Sequence, residues 1–415
     1  MFSKKGWNLF LSAFKKNDYS TIIFLVYMSV GLRILAMLCA LPIILILWIL
    51  KPFFWVKVGL LPSNRVGHLA VNTDLFLRRR QLGIHPDGPF YCFLCDPKNL
   101  ANSQLLTMFK RLVPIYRSRV LPVLFERMLP LFKKTPFYQS LPMNSTEYYE
   151  FNSANSSINF TPDEIEKGRR HLKQMNVDLD KDKFVCIFAR DDAYLKNTFP
   201  SRNWDYHDNR NSDIDRLIET AKYLIEKGFI VIRIGSIVKK PINFSHDKMI
   251  DLPYSGHRTD FIDIFLQAHC KFVIAAGNSG IMDVANIFDI PKLVVDFSEF
   301  GICPFSKNCL YTPKKYRYKN TNDYLHFNEA RKMGHTLWHN PASLGLEAEE
   351  SNPQEILEVT KEMLARLEGR YKYSPESEKL IQAYQKLWNE SDLEGSSIKT
   401  PIGIAWLKKN QSLYF

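Results

Sequence analysis

Apolar segments alternate with helical segments through the middle of the chain, and this alternation restricts the fold more than any other feature. Amphipathic segments such as 213–227, which is followed by Gly228, separate runs that are apolar along most of their length. Such runs are typical of strands buried on both faces, and there are four: Lys183–Ala189, Phe229–Ile234, Lys271–Ala276 and Lys292–Asp296. The pattern predicts an α/β fold with a doubly wound, Rossmann-like parallel sheet.

The positive charge is confined to one part of the chain. The 415 residues carry a net charge of +12, with 19 Lys and Arg against 7 Asp and Glu in residues 1–150 and 36 against 36 in residues 151–415. A basic N-terminal part indicates a surface that faces an anionic partner, either lipid head groups or nucleic acid. No aromatic residues are interleaved with the basic ones in a stacking pattern, so we expect no nucleic acid as a partner.

A long apolar segment lies near the N-terminus. Residues 21–50 are apolar apart from Arg33, and the uninterrupted run of 17 residues from Ile34 to Leu50 reaches the lower limit for crossing about 30 Å of hydrocarbon. Basic residues flank the segment on both sides, so the segment fits one pass or a helix pair that turns around Gly31 and Arg33. We predict a membrane anchor in residues 1–58.

The remaining chain divides into three parts by pattern. Residues 59–160 show a βα pattern and are predicted to form a first Rossmann-like domain, in which 141–160 is an Asn- and Ser-rich loop. Residues 161–345 begin at a capping pattern, Thr161-x-x-Glu164, and contain the predicted doubly wound sheet. Residues 346–415 are predicted to be mainly helical.

Ligands of open parallel sheets bind beyond the carboxyl ends of the strands. Gly277-Asn278-Ser279-Gly280 follows one predicted strand and precedes a helix predicted over Ser279–Phe288. Small residues at a helix N-terminus allow an anion to approach the free backbone N–H groups. The alternative is a plain tight turn with Ser279 as the helix cap.

Three arginines follow or end predicted strands in the same domain. Arg190 and Tyr194 lie directly after the first strand, Arg233 closes the second, and Arg258 opens a helix. A buried guanidinium needs an anionic partner, and its planar donor fork suits a diphosphate. Salt bridges are the alternative, with a neighbouring Asp for Arg190 and with Asp251 for Arg233.

These residues together predict a pocket for a nucleoside diphosphate. The sequence contains no Walker lysine and no Gly-x-Gly-x-x-Gly motif, which argues against a P-loop nucleotidase and a standard dinucleotide enzyme. Because three arginines that converge on one anion site can neutralise a diphosphate, we expect no metal and no cofactor, and a nucleotide-diphosphate sugar as the donor substrate.

The order of motifs resembles a bacterial family of proposed GT-B-type glycosyltransferases and, more distantly, the fucosyltransferase and UDP-N-acetylglucosamine 2-epimerase groups. The resemblance covers roughly residues 63–300 and rests on Arg-Asp-x-x-Tyr at 190–194, Arg-Asn-Ser-Asp-Ile at 210–214, Thr-Asp-Phe at 259–261 and Gly-Asn-Ser-Gly at 277–280. Fucosyltransferase-type enzymes carry His-x-Arg at the end of the first of these strands. Here Phe188-Ala189-Arg190 keeps the arginine and lacks the histidine.

The resemblance implies two facing Rossmann-like domains and roles for particular residues. It implies an acceptor-side loop at Arg65, Gly67 and Asn72, and a catalytic base, for which His68 and Asp74 are the candidates. A histidine satisfied in a core turn is the alternative for His68. The donor-binding residues implied are Arg190, Tyr194, Arg233, Arg258, Asn278, Ser279, Gly280 and Asp283.

The expected function is a metal-independent, inverting sugar transfer from a nucleotide-diphosphate sugar to a lipid-linked or surface-polysaccharide acceptor. The anchor predicts a location at the bacterial inner membrane, with the catalytic domains on the cytoplasmic side. Two alternatives remain at this point, a non-hydrolysing nucleotide-sugar epimerase and a non-catalytic membrane-attached binding protein.

Overall fold

A computed structural model describes residues 19–141, 148–201, 203–298, 300, 308–334, 336–337, 340–389 and 400–415. The chain divides into two compact units by its internal contacts. Unit 1 comprises Met1–Asn64, His85–Ala101 and Phe109–Pro142, and unit 2 comprises Arg65–Ile84, Asn102–Met108 and Met143–Phe415.

The helices and strands follow in chain order. The helices are α1 Tyr19–Leu50, α2 Thr73–Gln81, α3 Ser103–Lys110, α4 Leu121–Phe132, α5 Tyr148–Ser153, α6 Pro162–Gln174, α7 Ala193–Thr198, α8 Ile218–Glu226, α9 Asp260–His269, α10 Met282–Ile287, α11 Phe327–Met333, α12 Pro353–Leu367, α13 Pro375–Asn389 and α14 Ile404–Lys409. The strands are β1 Val56–Leu60, β2 Phe90–Cys95, β3 Ile115–Arg117, β4 Phe184–Ala189, β5 Ile230–Arg233, β6 Met249–Asp251, β7 Val273–Ala276, β8 Lys292–Phe297, β9 Cys309–Pro313, β10 Lys315–Tyr318 and β11 Leu346–Glu349.

Unit 1 is built around a small parallel sheet in the order β1-β2-β3. The apolar helix α1 packs through Ala36 and Ala40 against Phe125 and Phe132 of α4. The helix runs unbroken through Gly31 and Arg33. The alternative prediction of a helix pair is therefore wrong, because the backbone continues in one helix through Gly31 and Arg33, where the turn was expected.

One helix among the described residues is long and apolar enough to cross a membrane. The candidate span is Val30–Leu50, 21 residues near the N-terminus, and little of it is buried in the protein. This result follows from length and composition alone. The basic residues on the N-terminal side of this segment lie outside the described residues; they are Lys4, Lys5, Lys15 and Lys16.

Unit 2 contains a six-stranded parallel sheet in the order β6-β5-β4-β7-β8-β9. The first strand in sequence, β4, pairs with β5 on one side and with β7 on the other. The strand order therefore reverses between β4 and β7, as in Rossmann-type sheets. The predicted α/β class and parallel sheet are confirmed, and the predicted strands match β4, β5, β7 and β8 to within two residues at each end.

Helices cover both faces of this sheet because successive strand residues point to opposite sides. Cys186 and Phe188 of β4 pack in a cluster with α6, α9 and α10, whereas Val185 and Ile187 pack in a second cluster with α8 and α12. Both faces are apolar, which explains why the strands read as continuous hydrophobic runs. The capping box predicted at Thr161 is present at the start of α6.

The structure differs from the predictions where local patterns were ambiguous. His68–Asn72, an apolar run in the predicted βα part, is a π-helical turn, and the chain continues from it directly into α2. The predicted loop 141–160 contains α5, while residues 142–147 lie outside the described part. Strand β1 begins at Val56, within the predicted anchor 1–58.

The predicted boundary at residue 160 does not coincide with the division by contacts. Residues 65–84 belong to unit 2, because Arg78 of α2 donates hydrogen bonds to the carbonyls of Phe151, Ala154 and Asn286. The arrangement of two domains across a cleft remains a prediction.

Gly168 allows α6 to pack closely on α9. A Cβ atom at this position would lie 2.0 Å from Cζ of Phe265, a fully buried ring that has no space to move. We expect Gly168→Ala to lower the midpoint of thermal unfolding by about 2 °C or more, because overpacking of about 1–3 kcal/mol exceeds the gain in helix propensity of about 1 kcal/mol. The control is Arg170→Ala on the exposed side of the same helix, and an equal midpoint for both variants would contradict the tight packing.

Candidate functional site

The candidate site lies at the carboxyl edge of the unit 2 sheet, where the strand order reverses. Arg190 directly follows β4 and Gly277 directly follows β7, and the Arg190 N–H donates to the carbonyl of Ala276 at 2.9 Å. Diverging connections at such a switch point leave a crevice, which is where open α/β sheets bind ligands. The tertiary structure therefore brings Arg190 and the 277–280 turn together, as the sequence predicted.

Arg190 is buried, and within the described residues no carboxylate lies within ion-pair distance of its guanidinium. Its Nη1 donates to the carbonyl of His207 at 3.0 Å and to the side-chain oxygen of Asn211. Burial, reinforced by the positive charge of Arg210, lowers the pKa of Arg190 to about 10. The guanidinium stays protonated at neutral pH, so this edge holds a buried cation that has no anionic partner in the described part of the chain.

The neighbouring aspartates are engaged elsewhere. Asp191 accepts hydrogen bonds from the backbone N–H groups of Ala193 and Lys239, and Asp192 forms an ion pair with Lys196. The Arg190–Asp bridge that was the alternative at the sequence level is not present between described residues. An external anion is the simplest partner that would neutralise Arg190.

Gly277 adopts a backbone conformation that the site requires. Its φ is +78°, and a Cβ atom there would lie 2.2 Å from the carbonyl oxygen of Arg210. Asn278 is buried, and its Oδ1 accepts a hydrogen bond from the N–H of Ser298 at 2.8 Å. The turn after β7 is therefore fixed against the 207–211 segment that holds Arg190.

The helix after this turn begins later than predicted. Helix α10 starts at Met282, and Ser279 contributes its carbonyl to a turn with the N–H of Met282 at 3.1 Å. Ser279 and Gly280 thus precede the helix instead of forming its first residues. Asp283 lies in the first turn of α10, where its Oδ1 is 3.5 Å from Nδ2 of Asn286.

Lys314 supports the site, although no pattern in the sequence pointed to it. Its buried Nζ donates to the carbonyls of Asn209 at 3.1 Å and Asn211 at 2.8 Å. Burial lowers the pKa of Lys314, and the charge of Asp296 opposes this shift. Asp296, with φ of 55°, is itself fully buried at the end of β8. The two hydrogen bonds of Lys314 thus fix the segment that positions Arg190.

The acceptor-side loop predicted from the sequence meets the 277–280 turn through two glycines. A Cβ atom on Gly67 would lie 2.5 Å from the Cα of Gly280, and one on Gly280 would lie 2.8 Å from the N of Gly67. Both glycines belong to unit 2. This close backbone approach, which side chains would prevent, places His68 one residue from the contact.

His68 has the protonation properties of a base. Its Nδ1 lies 3.2 Å from Oδ1 of the buried Asn72. Since an amide oxygen only accepts, this contact places the hydrogen on Nδ1 and leaves Nε2 as an acceptor. Burial lowers the pKa of His68; the Asn72 hydrogen bond opposes this, and the charge of Arg65 lowers the pKa further. The ring is therefore neutral at pH 7.

Asp74, the other predicted base, lies in the protein interior. Its carboxylate is fully buried and forms an ion pair with Nε of Arg78 at 2.6 Å. Burial raises the pKa of Asp74 to about 7, against the opposing effect of Arg78. A substrate hydroxyl has no access to this carboxylate, so we do not propose Asp74 as the base.

The remaining predicted site residues have internal partners. Arg233 pairs with Asp251 at 3.1 Å, which is the alternative that the sequence allowed, and its side chain is 2% exposed. Arg258 forms ion pairs with Asp260 and Asp263. These two arginines are already neutralised within the fold.

Two further predicted residues lie near the surface of unit 2. Tyr194 is half-buried, and burial raises its pKa. The positive charges of Arg258 and Arg65 lower this pKa. Arg65 lies over the Trp204 ring, 5.6 Å from its centroid. Trp204 in turn stacks on His207, whose carbonyl holds Arg190. Arg65 is thus linked through two rings to the Arg190 site.

Among the residues that the structure describes, no group of three or more His, Cys, Asp or Glu side chains is arranged to hold a metal ion. Arg190, Lys314 and Arg210 instead place positive charge around the crevice.

Comparisons with known proteins give little beyond a coarse likeness of fold. No family model matches the chain, and no curated protein matches it. A solved structure described as the glycosyl transferase family 9 protein from Veillonella parvula DSM 2008 matches 63% of this chain and 86% of its own chain. The sequence identity is 12% and the TM-score is 0.41. At these values the likeness says nothing about activity.

Lys314→Met tests the support of the 207–211 segment. The variant removes two charge-assisted hydrogen bonds, so we expect the backbone amides of this segment to exchange hydrogen about tenfold faster or more, while those of β4 and β7 stay protected. Hydrogen exchange followed by mass spectrometry measures this change. Lys315→Met, which removes the neighbouring ion pair to Glu349, is the matched control. Unchanged exchange in the Lys314 variant would argue against the supporting role.

Proposed function

We propose that this protein is a glycosyltransferase that uses a nucleotide-diphosphate sugar as the donor. The observation that supports this proposal is the buried Arg190 guanidinium, which has no carboxylate partner among the described residues and lies at the switch point of a Rossmann-type sheet. A diphosphate matches both the charge and the donor geometry of a guanidinium. In this proposal Asn278, Ser279 and Gly280 border the diphosphate, and Tyr194 and Asp283 lie beside the donor.

The proposed reaction is a direct displacement at the anomeric carbon. Nε2 of His68 accepts the proton of the acceptor hydroxyl while the acceptor oxygen forms a bond to the anomeric carbon. The bond between that carbon and the diphosphate oxygen breaks, and the nucleoside diphosphate leaves with both bonding electrons. Arg190 stabilises the added negative charge through a preorganised guanidinium, so the proposed reaction requires no metal. Because it is a single displacement, it inverts the configuration at the anomeric carbon.

The acceptor follows from the chemistry of unit 1. An apolar N-terminal helix and an excess of basic residues favour a lipid-linked or surface-polysaccharide acceptor at a membrane, and we propose the cytoplasmic face of a bacterial inner membrane. An epimerase would use the same donor pocket without an acceptor hydroxyl. A binding protein would bind the nucleotide without turnover.

A thermal-shift screen tests the donor pocket. The full chain in detergent is heated with UDP, GDP or CMP and with their sugars, with and without EDTA. We expect one nucleotide to raise the unfolding midpoint in EDTA, because Arg190 supplies the charge for the phosphates. No stabilisation by any nucleotide under any condition would contradict the proposal.

Arg190 variants test the residue on which the proposal depends. Arg190→Met is expected to weaken binding of the stabilising nucleotide by about tenfold or more, because it removes charge-assisted hydrogen bonds worth about 1.5–3 kcal/mol each. Arg190→Lys keeps the charge and should bind with intermediate affinity. The control is Lys248→Met on the exposed surface. Calorimetric titration gives the dissociation constants of the three variants and of the unchanged protein. If Arg190→Met and Lys248→Met bind the nucleotide with equal affinity, Arg190 does not contact the nucleotide.

The pH dependence of transfer tests His68 as the base. Only the neutral ring accepts a proton, so we expect kcat/KM to fall as the pH drops through a pKa below the usual 6.5 of histidine. Arg65→Gln removes a positive charge that lowers this pKa, so the acidic limb should move to higher pH. Arg65→Lys keeps the charge and should leave the limb in place. A profile that is identical in all three proteins would exclude His68.

A further inference from the structure

Unit 1 exposes a second apolar surface that is separate in sequence from α1. It consists of six large side chains with exposed fractions from 36% to 60%, which we call the basic–apolar edge: Leu112, Tyr116, Val120, Leu121, Val123 and Leu124. Exposed cations lie within the same stretch of chain, at Lys110, Arg117 and Arg119. A group of apolar side chains interspersed with Lys and Arg is the composition of elements that lie in the membrane interface.

Half of the edge, Leu121, Val123 and Leu124, lies on α4, the helix that contacts α1, and the other three residues precede this helix in the chain. The buried side of α4, at Phe125 and Phe132, packs against Ala36 and Ala40, while the first turn of α4 is exposed. The side of α1 that contributes to this cluster runs from residue 36 to residue 47, a length of about 17 Å at 1.5 Å per residue. This is about half of the roughly 30 Å thickness of the hydrocarbon layer. A bilayer that surrounds α1 must therefore also meet α4.

The charge of unit 1 identifies the kind of membrane. Its residues include 15 Lys and Arg but only 4 Asp and Glu, so unit 1 carries nearly the whole net charge of the chain. Arg117 and Arg119 form no ion pair with another described residue. Basic residues near a bilayer surface are attracted to anionic head groups.

We propose that the basic–apolar edge is a second lipid-binding surface, which enters the interface of an anionic bilayer beside α1. The apolar side chains lie among the acyl chains near the head groups, and Arg117 and Arg119 contact the lipid phosphates. This inference extends the membrane attachment that we proposed above, and it specifies that attachment through two elements of unit 1. It does not depend on the chemistry of sugar transfer.

Spin labels in the full chain test the proposal. In a Cys39→Ser background, Val123→Cys carries the label on the edge, Leu45→Cys carries it on the exposed side of α1, and Asp247→Cys carries it on the exposed surface of unit 2. Each protein is reconstituted into vesicles of phosphatidylcholine, with or without 30 mol% phosphatidylglycerol. Collision of the label with oxygen, which concentrates in lipid, is compared with collision with a water-soluble nickel chelate.

In the anionic vesicles we expect the label at position 123 to prefer oxygen over nickel by about fivefold or more, and the label at position 247 to prefer nickel. Arg117→Gln with Arg119→Gln should reduce the preference at position 123 to its value in phosphatidylcholine alone. These substitutions are at exposed side chains, so the fold should persist, and circular dichroism of each variant confirms it.

Other outcomes separate this inference from the attachment by α1. A label at position 45 in lipid with a label at position 123 in water would overturn the proposed surface and leave the α1 attachment intact. If the labels at positions 45 and 123 both remain in water, the proposed attachment by α1 is wrong as well. Protection of position 123 from both reagents would indicate a protein on the edge, either a partner or a second copy, and would also overturn the proposal.

Discussion

The buried guanidinium of Arg78 holds the candidate site together. It pairs with Asp74 on its own helix and with Asp289, and it donates to the carbonyls of Phe151, Ala154 and Asn286. Removing one partner of a buried ion pair costs about 3–5 kcal/mol, so this network is a strong constraint on the chain. Because of it, residues 65–84 pack with the unit 2 sheet, and Gly67 reaches Gly280.

The crevice itself is built from charge and backbone conformation. Gly277 at a positive φ allows the carbonyl of Arg210 to approach, and the 207–211 segment then directs Arg190 to the sheet edge. Lys314 fixes this segment through hydrogen bonds to two of its carbonyls. The site therefore presents positive charge before any substrate binds, which is the property that the proposed displacement of a diphosphate requires.

Much of the fold was predictable from local patterns. The continuous apolar runs predicted β4, β5, β7 and β8, because strands that are buried on both faces are mostly apolar at successive positions. Thr161 and Glu164 predicted the start of α6 through a capping box. The chain from 65 to 84 was not predictable in the same way. Its apolar residues at 69–71 fit a strand or a helix, and apart from Asp74 the partners of Arg78 lie more than 70 residues away in sequence.

The parallel sheet, the apolar N-terminal helix and the concentration of basic residues before residue 150 could be predicted, since they depend on residue type and local spacing. Which charged residues lack an ion-pair partner among the described residues depends on the tertiary fold. Arg190 and Arg233 both follow or end an apolar strand, yet Arg233 meets Asp251 whereas the aspartates next to Arg190 bond to Lys196 and backbone N–H groups. Ion pairs form between groups that the fold brings together, and sequence distance does not reveal them.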